Sequence, residues 1–159
     1  MTIRKQFMVI AGAGFIALAL AVLVMIGLLQ RNEMENKLRG FSENEITSLH
    51  SLIVTAMEKR PEDGDNIGVT VCNNWFATRN ANYPGKLWST WSPKVAAHMK
   101  EQGSTVEKPP RDAIDREALE TGKPVGRFID GAFRYSLPIV LGVTEGANQE
   151  VCHTCHDAM

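Results

Sequence analysis

A run of 23 residues without a charged side chain is the feature that most constrains this chain, and it extends from Phe7 to Leu29. A helix of that length rises roughly 34 Å, enough to cross the ~30 Å hydrocarbon core of a bilayer. The alternative is a secretory signal peptide, which has a shorter apolar region and a small-residue cleavage site such as Ala19-Leu20-Ala21. Cleavage there would leave an apolar mature N-terminus. We therefore predict an uncleaved membrane anchor over residues 1–29.

The remainder, residues 30–159, has the length of one modest domain, because the whole chain has only 159 residues. The formal net charge of the whole chain, -1, argues against a nucleic-acid partner, since nucleic-acid-binding proteins normally carry a basic stripe. The sequence contains no Ser/His/Asp set, no Gly-rich phosphate loop and no motif of paired carboxylates. We therefore predict a protein that is not an enzyme.

The segment directly after the apolar run predicts a long juxtamembrane helix. Gln30 to Arg60 is rich in helix formers, and Pro61 is its first proline. Apolar residues recur on one helical face, at Met34, Leu38, Phe41, Leu49, Ile53 and Met57. We expect this face to pack on the domain or on a partner helix.

Turn and cap signals divide the middle of the chain. The β-branched run Ile67–Val71 predicts a short strand, and the Asn-rich stretch Asn73–Gly85 predicts an exposed loop. Ser92 as N-cap and Pro93 at the first helical position predict a helix that ends near Gly103.

The segment after a linker at 103–110 predicts a second short helix and then a hairpin. The helix covers Arg111–Thr121 and is closed by Gly122. Asp130-Gly131 favours a two-residue turn between strands Val125–Ile129 and Ala132–Val140, the second ending or lying at an edge near Pro138. The predicted fold class is α+β, a small antiparallel sheet with helices on one side.

The C-terminal residues Cys152-His153-Thr154-Cys155-His156 fit C-x-x-C-H, the attachment signature of c-type haem. One helical turn separates the two thiols, so both can form thioethers with the haem vinyl groups. The histidine that follows can then ligate the iron. We predict one covalent haem c held by Cys152, Cys155 and His156.

Two other readings of this motif remain open. A thioredoxin-like dithiol normally lies in a βαβ unit, and no such unit surrounds these cysteines. If the motif were such a dithiol, the chain would be a membrane-tethered thiol oxidoreductase. Half of a zinc site would need a second ligand pair, whereas Cys72, His50 and His98 are scattered along the chain. Both readings are weaker than haem attachment.

The sixth iron ligand has several candidates. Met57 stands first, because a thioether at the end of the juxtamembrane helix would give His/Met coordination. Cys72 stands second as a thiolate ligand, and an open or water-filled position stands third. His50, His98 and Met99 are more typical of surface or packing residues.

Arginines could pair with the haem propionates, because a guanidinium matches carboxylate geometry. The candidates are Arg79, Arg127 and Arg134, although a solvated strand face explains the last two nearly as well. An aromatic cluster could wall a porphyrin or simply pack in the core; it comprises Trp75, Phe76, Tyr83, Trp88 and Trp91.

The order of these features resembles the PAS-like periplasmic c-haem sensor domains of bacterial chemoreceptors, histidine kinases and cyclases. The resemblance covers about residues 30–156. It rests on a Met-ending helix (52–57), an Arg-Asn loop (77–82), Ala-Leu-Glu-Thr-Gly-Lys (118–123), Tyr-Ser-Leu-Pro-Ile (135–139) and the terminal C-x-x-C-H. It implies a PAS-like sheet, a distal Met or Cys, and in a homodimer a Met supplied by the partner subunit.

The leading functional hypothesis is a single-pass inner-membrane protein whose C-terminal domain lies in the periplasm. It would sense the redox state of the iron or a small gas and move the juxtamembrane helix. The charges that flank the apolar run are nearly balanced, so the orientation follows from the haem chemistry and not from charge. The alternative is an anchored mono-haem cytochrome that exchanges electrons with a redox partner. Because the chain ends at Met159 without an output domain, we expect a sensory fragment, a stand-alone anchored haem protein or a subunit of something larger.

Overall fold

The structure is a computed structural model that describes residues 2–58, 67–144, 146–150, 152 and 153. It combines α-helices with a two-stranded antiparallel sheet, so the α+β class is confirmed. The chain divides into two units, residues 1–40 and residues 41–159. The sheet order and helices expected of a PAS-like arrangement stay a prediction.

Helix α1 covers Ile3–Glu58 as one continuous element. The predicted anchor and juxtamembrane helix are therefore parts of a single helix, and the predicted domain boundary between residues 29 and 30 stays a prediction. In the described part of the chain, α1 is the one helix long and apolar enough to cross a membrane. The side chains of its apolar run lie exposed, Phe7 at 73 % and Phe15 at 73 %. An uncovered apolar surface of this kind is suited to lipid contact.

Within the second unit, α1 buries a face that differs in part from the predicted one. Leu49 and Val54 are buried, and Ile53 is half-buried. Phe41 and Met57 belong to the predicted face but remain 63 % and 38 % exposed.

Helix α2 covers Ile67–Asn82 and corrects two predictions, because neither the strand at 67–71 nor the loop at 73–85 is present. The covered residues recur with helical spacing at Cys72, Trp75, Phe76, Arg79 and Asn80. This period of three and four residues defines an inward face, and it outweighs the weak strand preference of the β-branched residues. Sequence reasoning missed the face because two of its five members are polar.

Helix α3 covers Pro93–Glu101 and confirms the predicted start signal. The Ser92 hydroxyl accepts a hydrogen bond from the backbone N–H of Val95 at 3.3 Å, and Pro93 occupies the first turn. The backbone N–H of Gln102 bonds the carbonyl oxygen of His98 at the other end. The segment 104–110 that follows has no regular structure, as the predicted linker requires.

Helix α4 covers Ala113–Thr121, two residues shorter at its start than predicted, because Asp112 is its N-cap. Gly122 closes it in the left-handed conformation at φ 64°, which favours glycine. The hairpin that follows pairs β1 (Val125–Ile129) with β2 (Ala132–Ser136), and both strands pack against α4.

The hairpin turn has positive φ at both central residues, 49° at Asp130 and 79° at Gly131, as its sequence predicts. Strand β2 ends at Ser136, two residues before Pro138, so the predicted end near this proline is confirmed, and the residues up to Val140 are not part of the strand. A proline there cannot donate a ladder hydrogen bond. The buried apolar side chains of the described residues are few: Leu49, Val54, Ile114, Ala118 and Ala147.

Candidate functional site

The segment that leads to the cysteine motif is a compact turn built around Thr144. Its hydroxyl accepts a hydrogen bond from the backbone N–H of Val140 at 2.7 Å and donates one to the carbonyl oxygen of Pro138 at 3.3 Å. The backbone N–H of Ala147 bonds the carbonyl oxygen of Thr144 at 3.0 Å, and Ala147 is only 3 % exposed. The chain is therefore fixed in place five residues before Cys152.

His50 of α1 packs against this segment at Gly146. A Cβ atom at residue 146 would lie 3.6 Å from Nδ1 and 3.8 Å from Cε1 of His50. Gly146 also has a φ of +79°, a conformation that L side chains rarely adopt. Burial lowers the pKa of the His50 imidazole below its ordinary value, which favours the neutral ring. The chain that precedes the motif thus rests on one face of α1.

Cys152 lies at the beginning of a helical turn. The backbone N–H groups of Cys152 and His153 both bond the carbonyl oxygen of Gln149, at 2.9 and 3.3 Å. The Cys152 side chain is half-buried and its thiol is not in a disulfide. Cys155 and His156 lie outside the described residues, so their roles stay predictions. The structure therefore describes one free thiol at the start of a helical turn, and its spacing to a second thiol stays a prediction from the sequence.

The two leading candidates for the sixth ligand lie on different helices. Met57 is in the last turn of α1 and is 38 % exposed. Cys72 is on the inward face of α2 and is half-buried. Burial raises the pKa of the Cys72 thiol, while the positive charge of Lys108 acts in the opposite direction. Their assignment as iron ligands stays a prediction.

Arg79 is one of the most enclosed polar residues of the described chain, at 8 % exposure. Its Nε and Nη2 atoms donate to the two carboxylate oxygens of Glu45, at 2.5 and 2.8 Å. Its Nη1 atom donates to the carbonyl oxygens of Pro84 and Gly85, at 3.0 and 3.1 Å. The hydrogen bond with Glu45 raises the pKa of Arg79 above its ordinary value. A haem propionate would have to compete with Glu45 for this guanidinium.

Arg134 is likewise paired with carboxylates of the protein. Its Nη2 atom lies 2.7 Å from Asp112 and 3.3 Å from Asp115, and its guanidinium lies 4.3 Å from the ring centroid of Trp88. Arg127 forms a more exposed pair with Glu117 at 2.6 Å. All three candidate propionate partners thus have a carboxylate partner of their own.

A second cluster, after that of Arg79 and Glu45, consists of Arg134, Asp112, Asp115 and Trp88. Asp115 is its central acceptor and is 3 % exposed. It accepts hydrogen bonds from Trp88 Nε1 at 3.2 Å, from the backbone N–H of Arg111 at 3.0 Å and from Arg134 at 3.3 Å. The guanidinium of Arg111 also lies 4.3 Å from the Trp88 ring centroid. Trp88 therefore anchors the segment before α3 to the start of α4.

Sequence reasoning missed His50 and Asp115 as organising residues. The spacing Asp112-x-x-Asp115 at a helix start was a usable signal, since it resembles a capping box. No local pattern could have revealed the contact of His50 with Gly146, because the two residues are far apart in sequence.

Among the residues that the structure describes, no group of three or more His, Cys, Asp and Glu side chains is arranged to hold a metal ion. The haem hypothesis therefore depends on the motif at 152–156. Comparison with protein-family models, with curated proteins and with solved structures gives no match for this chain.

Proposed function

We propose that this protein is a membrane-anchored c-type haem domain that senses the redox state of its iron or a small gaseous ligand. The observation that carries the proposal is the C-x-x-C-H motif, whose first cysteine is a half-buried free thiol at the start of a helical turn. The long apolar helix α1 supports the membrane anchor. The inner-membrane location and the periplasmic domain belong to the same proposal.

The thiols of Cys152 and Cys155 would hold the porphyrin as thioethers, and His156 would offer its imidazole to the iron. Bound haem would supply one-electron chemistry and a coordination position that a gas can occupy. Met57 or Cys72 would compete with the gas for that position. The chain's own contribution is to hold the residues that precede the motif in place, through the hydrogen bonds of Thr144 and the packing of Gly146 beside His50.

The contact between His50 and Gly146 supports a sensor over a simple electron carrier. It joins helix α1 to a turn that lies six residues before the first motif cysteine. A shift of the attachment segment would therefore reach α1 directly. Helix α1 also contains the apolar run, so the same element could carry the signal towards the membrane.

The experiment that tests haem attachment is a pair of absorption spectra, oxidised and dithionite-reduced, on protein made with the haem-attachment machinery. We expect c-type bands that persist after acid-acetone extraction, and their loss in Cys152→Ala. Carbon monoxide is then added to the reduced sample. A shifted band indicates an exchangeable ligand and supports the sensor. A spectrum indifferent to the gas would favour electron transfer, and extraction of all haem would overturn the c-type assignment.

The sixth ligand is tested by comparing Met57→Ala and Cys72→Ala with the control Met99→Ala on α3. The true ligand's removal should convert the ferrous spectrum to a five-coordinate form, whereas the control should leave it unchanged. Unchanged spectra in both ligand variants would favour the open position.

Orientation is tested with a C-terminal alkaline phosphatase fusion, because this enzyme is active only after export. High activity is expected from the proposed periplasmic domain. An inactive fusion that is fully expressed would place the domain in the cytoplasm and contradict the proposal.

A further inference from the structure

An apolar cleft of about 740 Å³ lies between α3, the linker 104–110 and α4. Its size falls within the range of about 300–1,000 Å³ typical of small-molecule sites. It contains none of the candidate iron ligands, and it shares Trp91 with the aromatic cluster considered above as a porphyrin wall. The inference below does not depend on the haem.

The walls of the cleft are mostly rigid and apolar. They include the indole of Trp91 and the side chains of Pro93, Val106, Pro110 and Leu119. Val106 is 54 % exposed, so a large apolar side chain faces open solvent. The linker is held beside α3 because the backbone N–H of Trp91 bonds the carbonyl oxygen of Lys108 at 2.8 Å. The two walls are thus fixed to each other without a ligand.

The charges at the cleft favour a monoanion. Three cationic side chains line it against the two carboxylates of Glu107 and Glu120, which leaves one positive charge in excess; the cations are Lys100, Lys108 and Arg116. Within the described residues, neither Lys100 nor Arg116 forms an ion pair. Each can therefore pair with a ligand without breaking an existing bridge.

Lys108 is already held in position at the Trp91 end of the cleft. Its Nζ atom lies 5.6 Å from the Trp91 ring centroid and donates a hydrogen bond to the Ser89 hydroxyl at 3.1 Å. An ordered cation loses little further freedom when it binds an anion. An indole with an ordered cation over its ring suits a ligand ring that bears a carboxylate, because the carboxylate can pair with that cation.

We infer that this cleft binds a small aromatic carboxylate, with its ring against Trp91 and the prolines and its carboxylate among Lys100, Lys108 and Arg116. A ring is favoured over an alkyl chain because the walls are flat and a rigid ligand loses less conformational entropy. A molecule with two fused rings fits the available volume.

The test is isothermal titration calorimetry on the full chain in nanodiscs, with 2-naphthoate as the probe and empty nanodiscs as the blank. We expect saturable 1:1 binding of 2-naphthoate. The neutral 2-naphthamide should bind about tenfold more weakly, because it lacks the charge. Octanoate should bind more weakly than 2-naphthoate. Equal affinity for the amide, tighter binding of octanoate, or no saturable heat would each overturn the inference.

Variants with matched controls locate the binding. Ala97→Trp places a large side chain in the cleft and should abolish binding, whereas Ala81→Trp on the exposed face of α2 should not. Lys100→Gln should weaken binding about threefold, and Lys94→Gln on the same helix should leave it unchanged. If Ala97→Trp bound 2-naphthoate as tightly as the unmutated protein, the cleft would not be the site.

Discussion

Two clusters in the domain each pair an arginine with a carboxylate, but the more enclosed partner is the arginine in one cluster and the carboxylate in the other. In the first, Arg79 is the enclosed partner, its side chain 9 % exposed against 22 % for Glu45. In the second, Asp115 is the enclosed partner, its side chain 4 % exposed against 19 % for Arg134. The buried charge is positive in one cluster and negative in the other.

This difference decides how each cluster responds to the loss of its charged partner and to acid. A guanidinium cannot lose its proton in a protein, so a buried arginine without a partner keeps its charge. A carboxyl group can become neutral by binding a proton when its environment disfavours the charge. The Arg79 cluster therefore depends on its partner at every pH, whereas the second cluster can lose charge in acid through Asp112, the carboxyl group that also pairs with Arg134.

The largest effect should follow Glu45→Ala, which leaves the enclosed guanidinium of Arg79 with only the carbonyl oxygens of Pro84 and Gly85. Removal of one partner from a buried pair costs about 3–5 kcal/mol. We expect the lower end of this range, because Glu45 itself is partly exposed. Urea unfolding followed by tryptophan fluorescence measures the loss, which should be the same at pH 5 and pH 7.5. Glu43→Ala, an exposed neighbour, is the control.

A smaller loss, about 2 kcal/mol, is expected for Arg134→Met. This change leaves Asp115 with two remaining donors, Trp88 Nε1 and the backbone N–H of Arg111. The same unfolding measurement should show a smaller loss at pH 3 than at pH 7.5, because Arg134 lowers the pKa of Asp112 and this stabilisation is lost as the pH falls through the folded-state pKa. A loss that is independent of pH, or one larger than that of Glu45→Ala, would contradict the contrast between the two clusters.

The helices and the hairpin around the second cluster were more accessible from the sequence than helix α2, which contains Arg79 of the first. Ser92-Pro93, Gly122 and Asp130-Gly131 each act through their own backbone conformation or cap, and each element that they predicted is present. Helix α2 carries no such signal, and its inward face includes Arg79, whose partner Glu45 lies 34 residues away. A partner so far away in sequence does not change the local pattern of apolar and polar residues, so α2 was wrongly predicted as a strand and a loop.

The residues of the candidate site also differ in whether a local sequence pattern or a distant partner defines their role. A short spacing defines the C-x-x-C-H pattern, so the haem hypothesis comes from the sequence alone, and the roles of Cys155 and His156 stay predictions. The assignments of Arg79 and Arg134 to propionates rested on residue type alone. The structure gives both arginines carboxylate partners on other elements, which no local spacing could have shown.

Asp112 should give the second cluster a measurable dependence on acid. Burial raises the pKa of its carboxyl group. Hydrogen bonds from the backbone N–H of Asp115, from Arg134 and from the backbone N–H of Ile114 lower this pKa by more than burial raises it. The pKa therefore lies below its ordinary value of 3.8. This stabilisation is present above the unfolded-state pKa and is lost as the pH falls through the folded-state pKa.

Asp112→Asn keeps an N-cap acceptor for α4 but removes the charge. We expect a loss of about 1 kcal/mol at pH 7, since a hydrogen-bonded charge is exchanged for a neutral cap. At pH 3 the difference from the unmutated protein should be smaller. Urea midpoints at the two pH values measure both differences, and an equal loss at both would show that the charge of Asp112 is not involved.

The smallest effect is expected for the pair of Arg127 and Glu117, although its Nη2–Oε2 distance of 2.6 Å is among the shortest of the ion pairs. Both side chains are nearly half exposed, at 48 % and 45 %, so water can replace either partner. Arg127→Met should therefore change the free energy of unfolding by at most about 0.5 kcal/mol, and added salt should remove even this difference. A loss as large as that of Arg134→Met would show that contact distance, and not burial, ranks the ion pairs of this domain.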